Sequence, residues 1–357
     1  MNLEKKRSHK RTVGKIVGRC GAVLGVTVLI LVAGLYAIML ICARGPSPAA
    51  KELFVLSVRE SSAGGFLASM VCTPEEIAEI EAKNKVGNVE GVSDSSLIQF
   101  KDHQDKEEEP QTQSGLKPYL VENGIQFYHV AGSTFTGTMM VIPDPSRVFV
   151  GTSGDYKGEP GINVPGICEK YGAIAATNAG GFEDIGGVGN GGTPLGIVIS
   201  EGKLKYGNLD SSYSVIGFDK NNVFVIGNMT ARQALDRGVR DAVSFGPFLI
   251  LNKEPLAVSG MGGGLNPRTA IGQREDGAVL MLAIDGRQTH SLGASMNDLI
   301  NVMLEFGAVN AANLDGGGST VLYYDGEIRN KISSIYGARG IPTAILVRPE
   351  NNGGNGE

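Results

Sequence analysis

Between Arg19 and Arg44 the chain runs 24 residues, Cys20 to Ala43, without a charged side chain. A helix of that length spans about 36 Å, enough to cross a hydrocarbon core of about 30 Å. Seven basic residues precede the run: Lys5, Lys6, Arg7, Lys10, Arg11, Lys15 and Arg19. The positive-inside rule places this end in the cytoplasm and everything after the run outside. The run is longer than the apolar core of a cleaved signal peptide, and no clean small-residue cleavage site follows. Ile41 before Cys42 is too bulky for a lipoprotein site. The expectation is an uncleaved signal anchor over 20–43, a basic cytoplasmic tail over 1–19, and a single-pass protein of the cell membrane.

The anchor also explains the charge. Residues 1–44 carry a local +7 in a chain of net charge −5, which leaves −12 on the rest. An acidic body of this kind excludes nucleic acid as the partner. The composition, 42% apolar and 19% charged, is that of a globular chain. Tryptophan is absent and aromatics are only 6%, which argues against an aromatic sugar-stacking platform. Cys20 and Cys42 sit at the two ends of the span. Cys72 and Cys168 lie outside, where a disulfide is permitted, and their separation does not decide whether they pair. No C-x-x-C spacing suggests structural zinc.

After the anchor, residues 44–83 read as a helical stalk. Thr73 is an N-cap, Pro74 follows at the first helical position, and acids fill the first turn. Residues 84–115 turn polar and read as a disordered linker. From 116 to 349 the texture changes to short apolar runs broken by turn signals, and 350–357 reads as a flexible tail. Hairpins are expected around Glu201-Gly202, Asp219–Asn222, Arg274–Gly277 and Asp325-Gly326. Helices are expected only at about 163–171, 230–237 and 295–306, the last capped by Ser295 and stopped by Gly307. Many hairpins with few helices and no regular βαβ units predict an α+β domain with a largely antiparallel or mixed sheet.

Four segments place polar residues and glycines where a strand pattern ends: Thr177–Phe182, Phe245-Gly246-Pro247-Phe248, Asn266–Ala270 with the Asp285-Gly286-Arg287 that ends its hairpin, and Asn313–Thr320. In Asn313-Leu-Asp-Gly-Gly-Gly-Ser-Thr320 an apolar strand delivers Asp315 to its end. Gly316, Gly317 and Gly318 can then turn N–H groups toward an anion, and Ser319 adds a hydroxyl. The lysine of a P-loop is missing. Asp285-Gly286-Arg287 repeats the design, with an ordinary Asp-Gly turn as the competing reading. Asn266-Pro-Arg-Thr-Ala270 puts Arg268 at the start of the same hairpin, where a guanidinium suits bidentate phosphate recognition. Thr177-Asn-Ala-Gly-Gly-Phe182 ends a strand on Asn178 with Gly180 and Gly181 behind it, before a loop holding Gly186, Gly187 and Gly189. His290 is a general-acid candidate; His129 reads as structural.

These segments in this order, together with Gly246-Pro247, resemble the phosphodiester glycosidase family. The resemblance covers about 120–348. It implies hydrolysis of a sugar-1-phosphodiester, such as an N-acetylglucosamine-1-phosphodiester, with release of the sugar and a phosphomonoester. It further implies a bacterial envelope protein acting in cell-envelope or exopolysaccharide metabolism.

On the residue types, Arg268, Arg287 and the Gly316–Gly318 amides would hold the phosphodiester. Asp315 would act as nucleophile or base toward the anomeric carbon, with Asp285 as the second carboxylate. Asn178, Asn313 and Ser319 would orient substrate, beside Gly180 and Gly181. No cofactor is required by the sequence. Calcium is compatible with the oxygens of Glu183 and Asp184, although a solvated acidic loop is the simpler reading. The alternative function is a non-catalytic module binding envelope glycopolymers or an assembly complex.

Overall fold

A computed structural model describes residues 2–350 except 62–63, 88–90, 101–111, 185–188 and 335. Helix α1 (Asn2–Arg44) carries the apolar run. Its stretch Lys15–Arg44, of mean hydropathy 2.7, is long and apolar enough to cross a membrane, and fits a signal anchor or a single span. The expected helical region follows as α2 (Pro48–Arg59), α3 (Phe66–Ser69) and α4 (Pro74–Lys83). Thr73 and Glu76 close a reciprocal capping box at the start of α4. These helices pack against the end of α1. Met39 and Ala43 share a buried apolar cluster with Val55, Leu56, Val71 and Ile80. Lys51 Nζ and Arg44 Nη1 meet Glu76 Oε1 at 2.6 and 2.8 Å on its surface.

The expectation of a disordered linker over 84–115 does not hold for its described residues. Val86 bridges Val258, and Gly87 N–H donates to the Ala257 carbonyl at 2.8 Å. Ser93 N–H donates to Ile226 O, and Gln99 N–H to Glu275 O. Backbone donors finding fixed acceptors on the domain override a polar composition. Residues 101–111, Gly186, Gly187 and the tail 351–357 lie outside the described residues.

The domain opens with β1 (Leu120–Glu122), β2 (Ile125–Ala131), β3 (Thr136–Ile142) and β4 (Val148–Thr152), then α5 (Val164–Lys170) and β5 (Ala175–Asn178). β6 (Val198–Ser200), β7 (Lys203–Tyr206), β8 (Ser212–Asp219) and β9 (Phe224–Thr230) lead to α6 (Ala231–Asp236). β10 (Val239–Ser244), β11 (Phe248–Leu251), β12 (Glu254–Pro255), β13 (Arg268–Arg274) and β14 (Val279–Ile284) precede α7 (Met296–Glu305). β15 (Ala308–Leu314), β16 (Leu322–Tyr324), β17 (Glu327–Ile328) and β18 (Thr343–Val347) complete the fold. They form an eight-stranded sheet ordered β1-β2-β3-β14-β13-β15-β11-β12, and two five-stranded sheets, β7-β6-β10-β8-β9 and β17-β16-β5-β18-β4. The described strand pairs are antiparallel, as the hairpin signals anticipate.

Apolar residues on one face of the large sheet, such as Ile271, Met281 and Leu314, join the core shared with the smaller sheets. Those on the other face, such as Ala270, Leu282 and Ala311, pack under Leu299 and Met303 of α7. β15 is therefore buried at every position. That double burial is why its sequence lacks polar alternation.

Candidate active site

The strand register assembles the site. Thr269 pairs with Leu314, so the start of β13 lies beside the end of β15, and Arg268 comes next to Asp315. A cavity of about 670 Å³ opens there. Of the residues singled out from sequence, Gly181, Arg268, Arg287, Asn313, Asp315, Gly316, Gly317, Gly318 and Ser319 line it.

Asp315 is the electrostatic centre. Burial pushes its carboxyl up to about 6, and the Asp184 charge adds to the effect. A hydrogen bond from the Ser319 hydroxyl, the Arg339 charge and the Gly316 N–H oppose it. Asp184 lines the same cavity and pairs with Arg339, Nη1 to Oδ2 at 2.8 Å. The Gly189 N–H holds its other oxygen at 2.8 Å. Arg339 also lies over the Phe182 ring, 4.7 Å from its centroid.

The two arginines differ. Arg268 is buried and committed to protein acceptors. Its Nε donates to Ala294 O at 3.1 Å, and its Nη2 to Gly264 O and to Glu60 Oε2, the latter at 2.7 Å. Glu60, just past α2, also accepts from Asn266 Nδ2 and from the Gly264 N–H. Arg287 is exposed to the cavity and is in no recorded ion pair among the described residues, with the Glu60 carboxylate near enough for its charge to favour the guanidinium. Its Nη2 donates to Asn266 Oδ1 at 2.9 Å. Partial burial, and then the Arg268 charge, lower its pKa from the ordinary arginine value.

Asn313 is 3% exposed; its Nδ2 donates to Gly246 O at 2.8 Å, while its Oδ1 has no partner. That geometry fixes the amide and leaves a buried acceptor at the cavity wall. The glycine run differs from a free cradle. The Gly316 N–H is spent on Asp315 Oδ1, and the Gly317 N–H on Pro267 O.

Three expected site residues stand away from the cavity lining. Asn178 is a clamp: its Nδ2 donates to the Asp315 main-chain carbonyl, and its Oδ1 accepts from Thr269 Oγ1 and Val321 N. The Gly180 N–H is taken by Thr343 Oγ1. Asp285 is corrected as the second cavity carboxylate. Arg268 is registered against Ile284, so the pleat turns the next residue to the opposite face. There Asp285 accepts the Lys331 N–H at 2.8 Å and meets His290 Nε2 at 3.0 Å. Gly286 is required because a Cβ on it would come within 2.4 Å of Pro267 N.

Sequence reasoning missed Glu60, Arg339 and the pairing of Asp184. Arg339 had a signal, a glycine-flanked arginine like Arg287. Glu60 had none. Asp184, weighed as a calcium ligand with Glu183, pairs with Arg339. Among the described residues no group of three or more His, Cys, Asp or Glu is placed to hold a metal ion.

The fold and site thus define an antiparallel-sheet domain with a desolvated carboxylate beside a free arginine at converging strand ends. Residues 171–348 match the sequence model of the phosphodiester glycosidase family, and through this segment the chain belongs to that family. An uncharacterized SPbeta prophage-derived protein of Bacillus subtilis (strain 168) is 29% identical over 220 residues, 58% of this chain and 32% of that protein. Mouse N-acetylglucosamine-1-phosphodiester alpha-N-acetylglucosaminidase is 24% identical over 222 residues, 56% of this chain and 42% of that protein. The chain spans less than half the length of either relative. The zebrafish enzyme's catalytic domain, solved in a form auto-inhibited by its pro-peptide, superposes with a TM-score of 0.52 at 20% identity. That match covers 65% of this chain and 86% of the zebrafish domain, and supports the shared fold.

Proposed function

We propose that the chain is a membrane-anchored extracytoplasmic hydrolase that cleaves a sugar-1-phosphodiester, and that Asp315 is its catalytic carboxylate. The observation that carries this reading is the juxtaposition of Asp315 and Arg287 in one cavity. Arg268 is neutralised by Glu60 and Arg339 by Asp184, which leaves Arg287 as the free cation among the described residues lining the cavity. One free cation suits the single negative charge of a phosphodiester.

Arg287 binds the non-bridging phosphate oxygens. Asn313, which lines the cavity, orients the sugar. Asp315, with a pKa near 6, is a base poised for work near neutrality. It accepts a proton from the water that attacks the anomeric carbon. The anomeric C–O bond breaks, its electron pair leaves on the phosphomonoester, and the sugar keeps the hydroxyl. Phosphate is a good leaving group, so one carboxylate suffices for this step. Asp184 takes the second position in the cavity and, through Arg339, tunes Asp315. Action in cell-envelope or exopolysaccharide metabolism, in a bacterial membrane with the N-terminus cytoplasmic, is the setting we propose.

The test uses the full chain in lipid nanodiscs. It is given methyl and long-chain 1-phosphodiesters of N-acetylglucosamine, glucose, galactose and mannose, and free sugar is measured by mass spectrometry. Release from at least one diester that disappears in Asp315→Asn supports the reading. No release from the whole panel overturns it in favour of a glycopolymer-binding module.

A further inference from the structure

The cavity wall includes Glu60 and Ser61, which immediately follow α2 and belong to no strand of the domain. This part of the wall is tied to the membrane helix. Met39 and Ala43, in the last two turns of α1, lie in one apolar cluster with Val55 and Leu56, in the last turns of α2 before Glu60. The wall is also fixed to the domain. Leu265 N–H donates to Ser57 Oγ at 3.0 Å, and a Cβ on Gly264 would stand 2.3 Å from Ser57 N. The contact therefore leaves no room for a side chain. By chain length alone, the 12 residues of α2 hold Glu60 within about 18 Å of the link that leaves the span.

Beside this wall α3 presents apolar residues to solvent. Phe66 is 63% and Met70 51% exposed, while Ala68 between them is buried in the cluster that holds the end of α1. Exposed apolar side chains continuous with a membrane-crossing helix are in place to sit in the outer layer of a bilayer.

We infer that the substrate is a sugar-1-phosphodiester whose aglycone is a membrane-embedded long-chain alcohol, presented from the bilayer past Phe66 and Met70. This deepens the reading under Proposed function and rests on it. The sugar and phosphate enter the cavity, and the hydrocarbon stays at the α3 surface and in the membrane. Hydrolysis adds water across the anomeric C–O bond, freeing the sugar and leaving a long-chain phosphomonoester in the bilayer.

The experiment uses the full chain in nanodiscs with undecaprenyl and methyl diesters of each sugar in the same panel. It reads the ratio of the two rates, which a loss of folded protein does not move. The wild type is expected to favour the undecaprenyl diester by about tenfold or more. Shared confinement to the disc raises that ratio in any anchored protein, so the deciding measurement is the double variant Phe66→Asp/Met70→Asp. Its ratio is expected to fall several-fold toward one. A wild-type ratio near one, or a ratio unchanged in the variant, overturns the inference while leaving the hydrolase intact. Failure on every diester of both kinds overturns the hydrolase and the inference with it.

Discussion

Asp315 and Asp285 begin alike: each ends a buried strand and precedes a glycine. The structure separates them completely. Asp315 lies in the cavity, desolvated, with its carboxyl pushed up to about 6. Asp285 lies across the pleat, where the Lys331 N–H and His290 hold its carboxylate. The arginines divide the same way. Arg287 opens onto the cavity, whereas Arg268 is sealed by Glu60. A strand-end motif thus identifies the edge of the sheet where chemistry gathers, and strand register decides which face each side chain takes.

The largest effect that would sharpen this contrast is Asp315→Asn. It should lower kcat/KM by about 10³-fold, because it removes the proposed base and keeps the shape. Stability should hold or rise, since a desolvated charge is lost. Next come the arginines. Arg287→Ala should cost about 10²-fold, chiefly through KM, from lost charge-assisted bonds to phosphate. Arg268→Ala should appear first as instability, about 2 kcal/mol in denaturant titration, because Glu60 and the Gly264 and Ala294 carbonyls lose their donor. A large KM effect without instability in Arg268→Ala would break the comparison.

A smaller effect follows from titration. The unfolded Asp315 titrates near the ordinary value of about 3.9, and the folded one near 6. Between these values the folded chain binds more proton, so the stability contribution is full below about 4 and is lost as pH rises through 6. The loss is on the order of 3 kcal/mol. Melting temperature against pH should show this fall in the wild type and lack it in Asp315→Asn. Over the same range kcat/KM should rise with pH, because the base works ionised.

The four hairpins marked by turn signals and the three domain helices were legible because turn residues and caps act locally. Ser295 capping α7 and the turn at Glu201-Gly202 need no tertiary information. The long apolar helix was legible from length and charge alone. What remained hidden was long-range. Glu60 lies 208 residues from Arg268 along the chain, in a region that composition identifies only as helical. The facing of Asp285 depends on the pairing of Arg268 with Ile284, and no local spacing encodes that register. The glycine run pointed to the right place for an incomplete reason. Two of its N–H groups bind protein oxygens, and the space the run leaves also serves close packing at Pro267.

The smallest effects belong to Asp285, and they test whether it reaches the chemistry through another residue. By accepting the Lys331 N–H, it anchors the start of a segment that lines the cavity with Ser333, Ser334, Tyr336 and Arg339. Asp285→Asn keeps an acceptor for that N–H. It should cost about 1 kcal/mol and leave kcat/KM within a few-fold. Asp285→Ala leaves the donor unpaired and loosens the segment carrying Arg339. It should therefore cost more in both measures, with the activity loss appearing as a shift in the Asp315 pH profile. His290→Ala removes a half-exposed partner and should change stability by less than about 0.5 kcal/mol. A loss of tenfold or more in kcat/KM from His290→Ala, with the pH profile unmoved, would bring the Asp285–His290 pair into contact with substrate and erase the distinction between the two carboxylates.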